Sequence, residues 1–202
     1  MAAPHAGGSS VRPLRASSGR GPIGLGIVGC GRFAAFHARA ARRLGGAVRV
    51  AFASRDPARA EAYRRRFGGF AAFGSYEAAA ADPRVDALVV CTPHHLHEAH
   101  ARLAAEHGKS VLLEKPIART LAEADTILAA ARAAGIVLMV AENAYFVPGF
   151  VAARACLRAG AIGEIRQIVM TARGYHQPAG WRSRRAEMGG GLLIDAGIHY
   201  LH

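Results

Sequence analysis

Lysine is almost missing from this chain: Lys109 and Lys115 stand alone among 26 basic residues, the rest being arginine. Cysteine is also scarce. Cys30, Cys91 and Cys156 are far apart and form no C-x-x-C pair, which excludes a disulfide scaffold or a cysteine zinc site and points to free thiols in a reducing, cytoplasmic setting. No apolar run approaches the ~20 residues of a membrane span, so no membrane partner is expected. Acids are outnumbered, 14 against 26 bases, for a formal charge of +12. The arginines are spread along the whole chain with abundant Ala and Gly, and no nucleic-acid-binding motif accompanies them. That is a compositional bias rather than a binding face, and no nucleic-acid partner is expected.

What is present suffices for a core, since 51% of the 202 residues are apolar. Residues 1–21 are a leader of Pro, Gly, Ser and Ala with Arg12, Arg15, Arg20 and no acid, disordered by composition. They lack the apolar core of a secretory signal. An untargeted tail is favoured over an organellar transit peptide, whose Arg- and Ser-bearing character they share.

The centre of the chain is Ile23 to Ala34. A short apolar strand to Val28 runs into Gly29, Cys30 and Gly31, then an amphipathic segment that opens with Arg32 and Phe33 and has small Ala34 three places after Gly31. This is G-x-G-x-x-A, a dinucleotide fingerprint: one glycine for the turn, one for close approach to a diphosphate, a small residue for helix–strand packing. The diphosphate would rest on the free amides at the helix start. Downstream, strands are expected at Val48–Ser54, Ala87–Cys91, Ser110–Leu113 and Ile136–Val140. Helices alternate with them: Arg32–Arg43, a helix capped by Asp56 and Pro57 that runs to Phe67, one from Ser75, one from His97 to His107, and one capped by Thr120 that runs to Ala134. That rhythm specifies an α/β fold with a doubly wound parallel sheet covered on both faces. Residues 22–142 make this unit. Over 143–202 the rhythm changes to a helix from Pro148 to Ala159, a long strand from Gly163 to Gly174, and a last helical piece after Gly189-Gly190-Gly191. One strand cannot satisfy its own edges, so this part reads as a second domain that has begun and is incomplete.

At the end of the second strand, where an acid usually holds the adenosine ribose, stand Ser54 and Arg55. A hydroxyl and a fixed cation suit the 2′-phosphate of NADP, which is placed ahead of NAD.

The fingerprint is followed in order by Cys91-Thr92-Pro93 with His97, by Glu114-Lys115-Pro116, and by GGG-x-x-x-D-x-x-x-H ending at Asp195 and His199. In this the chain resembles the Gfo/Idh/MocA oxidoreductases over residues 22–202. The resemblance implies an N-terminal Rossmann domain and the start of a C-terminal α/β domain with an open, mostly antiparallel sheet. It implies hydride transfer between NADP or NAD and a hydroxyl or carbonyl carbon of a sugar, polyol or cyclic diol, in a homo-oligomer when full length. Lys115 would lie beside the nicotinamide and hydrogen-bond the reacting oxygen, His199 would be the acid/base, and Asp195 its partner. Gly29, Cys30, Gly31, Arg32, Phe33, Ser54, Arg55, Cys91, Thr92, Pro93, His97, Glu114 and Lys115 would line the cofactor crevice.

Elementary chemistry agrees with these roles. Four apart on a helix, Asp195 and His199 would share a face with Cβ atoms about 5–6 Å apart. Imidazole titrates near neutrality and can take an alcohol proton, while an ammonium stabilises a developing alkoxide. Asn143-Ala144-Tyr145-Phe146 lacks the arginine that many sugar-active members carry after this Asn, so an aromatic or cyclic diol is as admissible as a pyranose. Tyr145, His176 and Trp181 are candidates for the substrate side or for ordinary packing. His94, His95, His97 and His100 do not complete a tetrahedral ligand set, and no metal is expected. Two other classes remain open: a non-catalytic NAD(P)-binding regulator or inactive fragment, and an NAD-dependent glycosidase on the same fold.

Overall fold

The computed structural model describes residues 21–200 other than Ala172 and His176. The leader expected over 1–21 therefore falls, but for its last residue, outside the described residues, as does His176. Six strands form one all-parallel sheet: β1 (Ile23–Val28), β2 (Val48–Ala53), β3 (Ala71–Phe73), β4 (Ala87–Val90), β5 (Ser110–Leu113) and β6 (Leu138–Val140). Their order is β3-β2-β1-β4-β5-β6, so the winding reverses between β1 and β4 and leaves a crevice at the carboxyl ends there.

Side chains alternate across the strands and feed two cores. On one face Ile27, Phe52 and Val89 pack with Ala34, Ala38, Ala60 and Phe67 from α1 (Arg32–Arg42) and α2 (Pro57–Phe67). On the other, Val28, Leu88, Val90 and Leu113 pack with residues of α3 (Tyr76–Ala81), α4 (His97–Glu106) and α5 (Leu121–Ala133), including Ile127. Central β1 carries two glycines because its neighbours press close. A Cβ on Gly24 would lie 1.8 Å from the Arg84 carbonyl oxygen, and one on Gly26 2.9 Å from Leu88 Cδ2.

The expected caps form. Asp56 Oδ1 accepts from the Arg59 amide at 3.2 Å, Ser75 Oγ from Ala78 at 3.1 Å, and Thr120 Oγ1 from Glu123 at 3.2 Å. Each contributes about 1 kcal/mol. α2 ends on Gly68 in the left-handed region. Among the described residues no helix is long and apolar enough to cross a membrane.

Three features depart from the sequence reading. β3 was not expected: it is three residues long, at the sheet edge, and made of two alanines and one phenylalanine. The strand expected over Gly163–Gly174 does not form among the described residues. After α6 (Pro148–Arg158), residues 164–171 and 173–175 have no ladder partner and are exposed, and an apolar stretch alone does not make a strand. The last helical piece is broken in two, a short helix Gly191–Asp195 and a 3-10 turn Gly197–Tyr200. Glycine on both sides gives the segment too little helix propensity to run through Ala196.

Candidate functional site

The site lies at the carboxyl edge of the sheet. Gly29 follows β1 with φ +91°, a conformation that favours glycine, and an added Cβ there would meet Thr92 Cγ2 at 2.9 Å. Its amide donates to the Ala53 carbonyl, locking the turn to the end of β2. Gly31 caps α1 without a side-chain partner, and the first turn holds no acid. A Cβ on Gly31 would project into open space, so the glycine leaves a cradle before unpartnered helix amides. The Tyr63 hydroxyl donates to the Gly31 carbonyl at 3.2 Å and steadies this turn from α2. These residues fit a dinucleotide diphosphate.

At the end of β2, Ser54 is buried and its Oγ accepts from the Asp56 amide at 3.1 Å, while Arg55 is exposed. Asp56 is turned into α2 as its cap. Cys30 is buried, which pushes its thiol up to about 11. Burial, then the Glu114 carboxylate, pushes the Cys91 thiol well up.

Three of the four clustered histidines brace the loops around the crevice. His97 is fully buried and sets Nδ1 2.8 Å from the Pro116 carbonyl and Nε2 3.0 Å from the Thr92 carbonyl, tying the loop after β4 to the loop after β5. His100 Nδ1 shares a 2.9 Å hydrogen bond with Thr92 Oγ1. His94 Nδ1 donates to the Met188 carbonyl at 3.0 Å, with its ring edge-on to Trp181 at 4.5 Å between centroids. Burial depresses all three, His94 and His100 to about 4. His95 Nδ1 lies 3.9 Å from Glu187. Among the described residues no three His, Cys, Asp or Glu side chains are grouped to hold a metal ion.

Lys115 leaves the end of β5 and meets Asp195 from the far part of the chain. Its Nζ donates to Oδ1 at 3.1 Å and to the Asp195 carbonyl oxygen. Arg182 Nε donates to the other carboxylate oxygen at 3.0 Å. Burial pushes the Asp195 pKa up, but Lys115 and Arg182 outweigh it and hold the carboxyl below its ordinary value. His199 does not share a helix face with Asp195, a correction that follows from the break at Ala196. It donates from Nδ1 to Glu142 Oε1 at 2.7 Å, just past β6. Asp195 and His199 thus have separate partners. Glu142, Arg182 and His37, which donates to Glu114 at 2.7 Å, were missed by the sequence reading. Glu142 alone had a legible signal, since it directly follows an expected strand at the carboxyl edge.

Lys115 and Glu114 form a wall shared by two cavities. One, of about 150 Å³, runs from Gly31 past Thr92 to Trp181 and Arg182; the other, of about 600 Å³, holds His199 and Glu142 and is walled by Phe33, Phe36, Met139 and Phe146. Trp181 therefore lines the crevice. Tyr145 instead lies under the Arg154 guanidinium, 3.6 Å from its ring centre.

Residues 23–142 match the family described as "Oxidoreductase family, NAD-binding Rossmann fold", and residues 150–202 match the GFO/IDH/MocA C-terminal domain. Mouse trans-1,2-dihydrobenzene-1,2-diol dehydrogenase is 37% identical over 150 residues, 74% of this chain and 45% of that protein. The 1,5-anhydro-D-fructose reductase of Ensifer adhaerens is 36% identical over 166 residues, 79% of this chain and 48% of that protein. A levoglucosan dehydrogenase solved with NADH and levoglucosan superposes with a TM-score of 0.75 at 29% identity, covering 88% of this chain and 52% of that one. The chain spans just under half the length of the curated relatives it matches.

Proposed function

The chain belongs to the Gfo/Idh/MocA oxidoreductase family, and from that premise we propose an NAD(P)-dependent dehydrogenase or reductase. It acts on a hydroxyl or carbonyl carbon of a sugar, polyol or cyclic diol. The observation that carries this reading is that Lys115 shares one crevice with the Gly31 cradle while being ion-paired to Asp195.

The residues divide the work as follows. Amides at the start of α1 hold the diphosphate, and the turn at Gly29 brings them close enough to do so. Ser54 and Arg55 face the adenosine ribose and favour NADP over NAD, because a hydroxyl and a guanidinium match a phosphate where a carboxylate would repel it. Thr92, Pro93 and Glu114 border the nicotinamide side, and His97, with both ring nitrogens against backbone carbonyls, keeps the two loops in register. A nicotinamide held here would supply or accept the hydride. Lys115 Nζ donates to the reacting oxygen and stabilises negative charge as it develops there. Glu142 fixes the proton of His199 on Nδ1, which leaves Nε2 to accept the alcohol proton in oxidation or return it in reduction. Asp195, held by Lys115 and Arg182, orients the ammonium.

The dihydrodiol, anhydrofructose and levoglucosan named for the relatives are all cyclic, and the aromatic walls of the larger cavity suit a ring with an apolar edge. Residues 22–142 form the nucleotide domain. Residues 143–202 belong to a substrate- and oligomer-facing α/β domain with an open, mostly antiparallel sheet. The working protein is a cytoplasmic homo-oligomer that needs neither nucleic acid nor membrane. Calorimetric titration with NADPH and NADH tests the core of this reading: binding of at least one, with NADPH tighter, is expected. Absence of binding to either by folded protein would refute it.

A further inference from the structure

Glu114 closes β5, and its backbone amide donates to the Val90 carbonyl at 3.0 Å, which fixes the main chain at the point where the crevice opens. Its side chain has three torsions and would sample several positions if nothing held it. His37, on α1, donates from Nε2 to Glu114 Oε1 at 2.7 Å. The two side chains are 22% and 13% exposed; Glu114 lines both cavities and His37 lines the larger one. The remaining oxygen, Oε2, lies 3.3 Å from the Lys115 amide, a long and weak contact. One carboxylate oxygen is therefore pinned and the other presents acceptor lone pairs beside Lys115.

We propose that His37 is a positioning residue for dinucleotide recognition: it holds Glu114 so that Oε2 accepts a hydroxyl of the ribose on the nicotinamide side. The inference rests on the nucleotide-binding reading above and deepens it. A carboxylate is an acceptor only, and a ribose hydroxyl is the donor such a position selects. Stability alone does not account for the pair, because a partly exposed imidazole–carboxylate contact contributes little to folding. Holding the side chain in advance removes the ordering cost that binding would otherwise carry, a factor of roughly five to ten in affinity. The contact also joins the helix that receives the diphosphate to the strand that carries Lys115, so both halves of the dinucleotide are read against one frame.

The test is calorimetry on the chain with two kinds of ligand. NADPH and NADH contain the ribose in question; 2′,5′-ADP and ADP carry only the adenosine side. His37→Phe, which keeps an aromatic ring but no donor, is expected to weaken the dinucleotides about five- to tenfold and leave the truncated ligands unchanged. His37→Gln, whose amide can donate, should restore most of that loss. In a Glu114→Gln background His37→Phe should have no further effect. His37→Ala serves in place of the phenylalanine variant should that one fail to fold. Equal weakening of both ligand kinds would reduce His37 to a packing residue of α1, and unchanged dinucleotide affinity would remove its role; either overturns the inference while the parent reading stands. A wild-type chain that binds neither dinucleotide overturns both.

Discussion

Lowering the pH from about 7 to about 5 should weaken the fold through His94 and His100, which burial brings down to about 4 from an ordinary 6.5. In the unfolded chain both take up a proton near their ordinary value; in the folded chain neither does so until much lower pH. Between the two values the unfolded state binds more protons, so stability falls as pH falls. For one such histidine the loss accumulated by about pH 5 is roughly 2 kcal/mol, and for both together about 4 kcal/mol. His97, also held down, acts in the same sense. The depressed carboxylates, Glu61, Asp82, Glu123, Glu187 and Asp195, respond from the ordinary carboxylate range downward and leave this window to the histidines. Against a total of about 5–15 kcal/mol the effect is large, and with a urea slope of about 2 kcal/mol per molar it moves the unfolding midpoint by 1–2 M. Urea melts at the two pH values measure it directly. His94→Gln and His100→Gln should each remove a large share of the slope while leaving the neutral-pH midpoint less changed. A midpoint indifferent to pH, or a slope that survives both substitutions together, would show that these rings are not held neutral by burial.

Gly29→Ala should lower stability and abolish nucleotide binding, since it combines a φ of +91° with a 2.9 Å approach to Thr92 Cγ2; a thermal melt and an NADPH titration check both effects, and normal binding would show that the turn is not the cradle. Lys115→Ala in a catalytically active form should reduce turnover by at least ~100-fold, measured by nicotinamide absorbance, with near-normal turnover showing the role to be misassigned.

Most of the nucleotide half of the chain was readable because its elements, β3 apart, are specified locally. Gly29 and Gly31 follow an apolar strand, Asp56, Ser75 and Thr120 sit directly before their helices, and four of the five expected strands carry runs long enough to stand out; the fifth, β6, is shorter than the expected Ile136–Val140. β3 was not readable, since Ala71–Phe73 owes its state to pairing with Ala51–Ala53 and not to its own composition. Over 163–174 Ile165, Ile168, Val169 and Met170 supply strand-favouring apolar residues, but strand formation depends on a neighbour that sequence does not reveal. The spacing of Asp195 and His199 suggested a shared helix face; glycines around them break the helix, and Glu142, distant in sequence, takes the imidazole instead. His37 and Arg182 were invisible for the same reason, because their partners Glu114 and Asp195 are set by the fold.

Lys115 and Asp195 meet across 80 positions of sequence. The counter-ion of this ammonium therefore comes from the Trp181–Tyr200 region, and any separation of that region would strip Lys115 of its carboxylate. On the proposed function, such a layout would set the nucleotide and the His199 imidazole on separately exchangeable pieces of chain. The distal piece could then be rewritten for a different substrate while the nucleotide half is left as it stands, provided one carboxylate returns to the same spot.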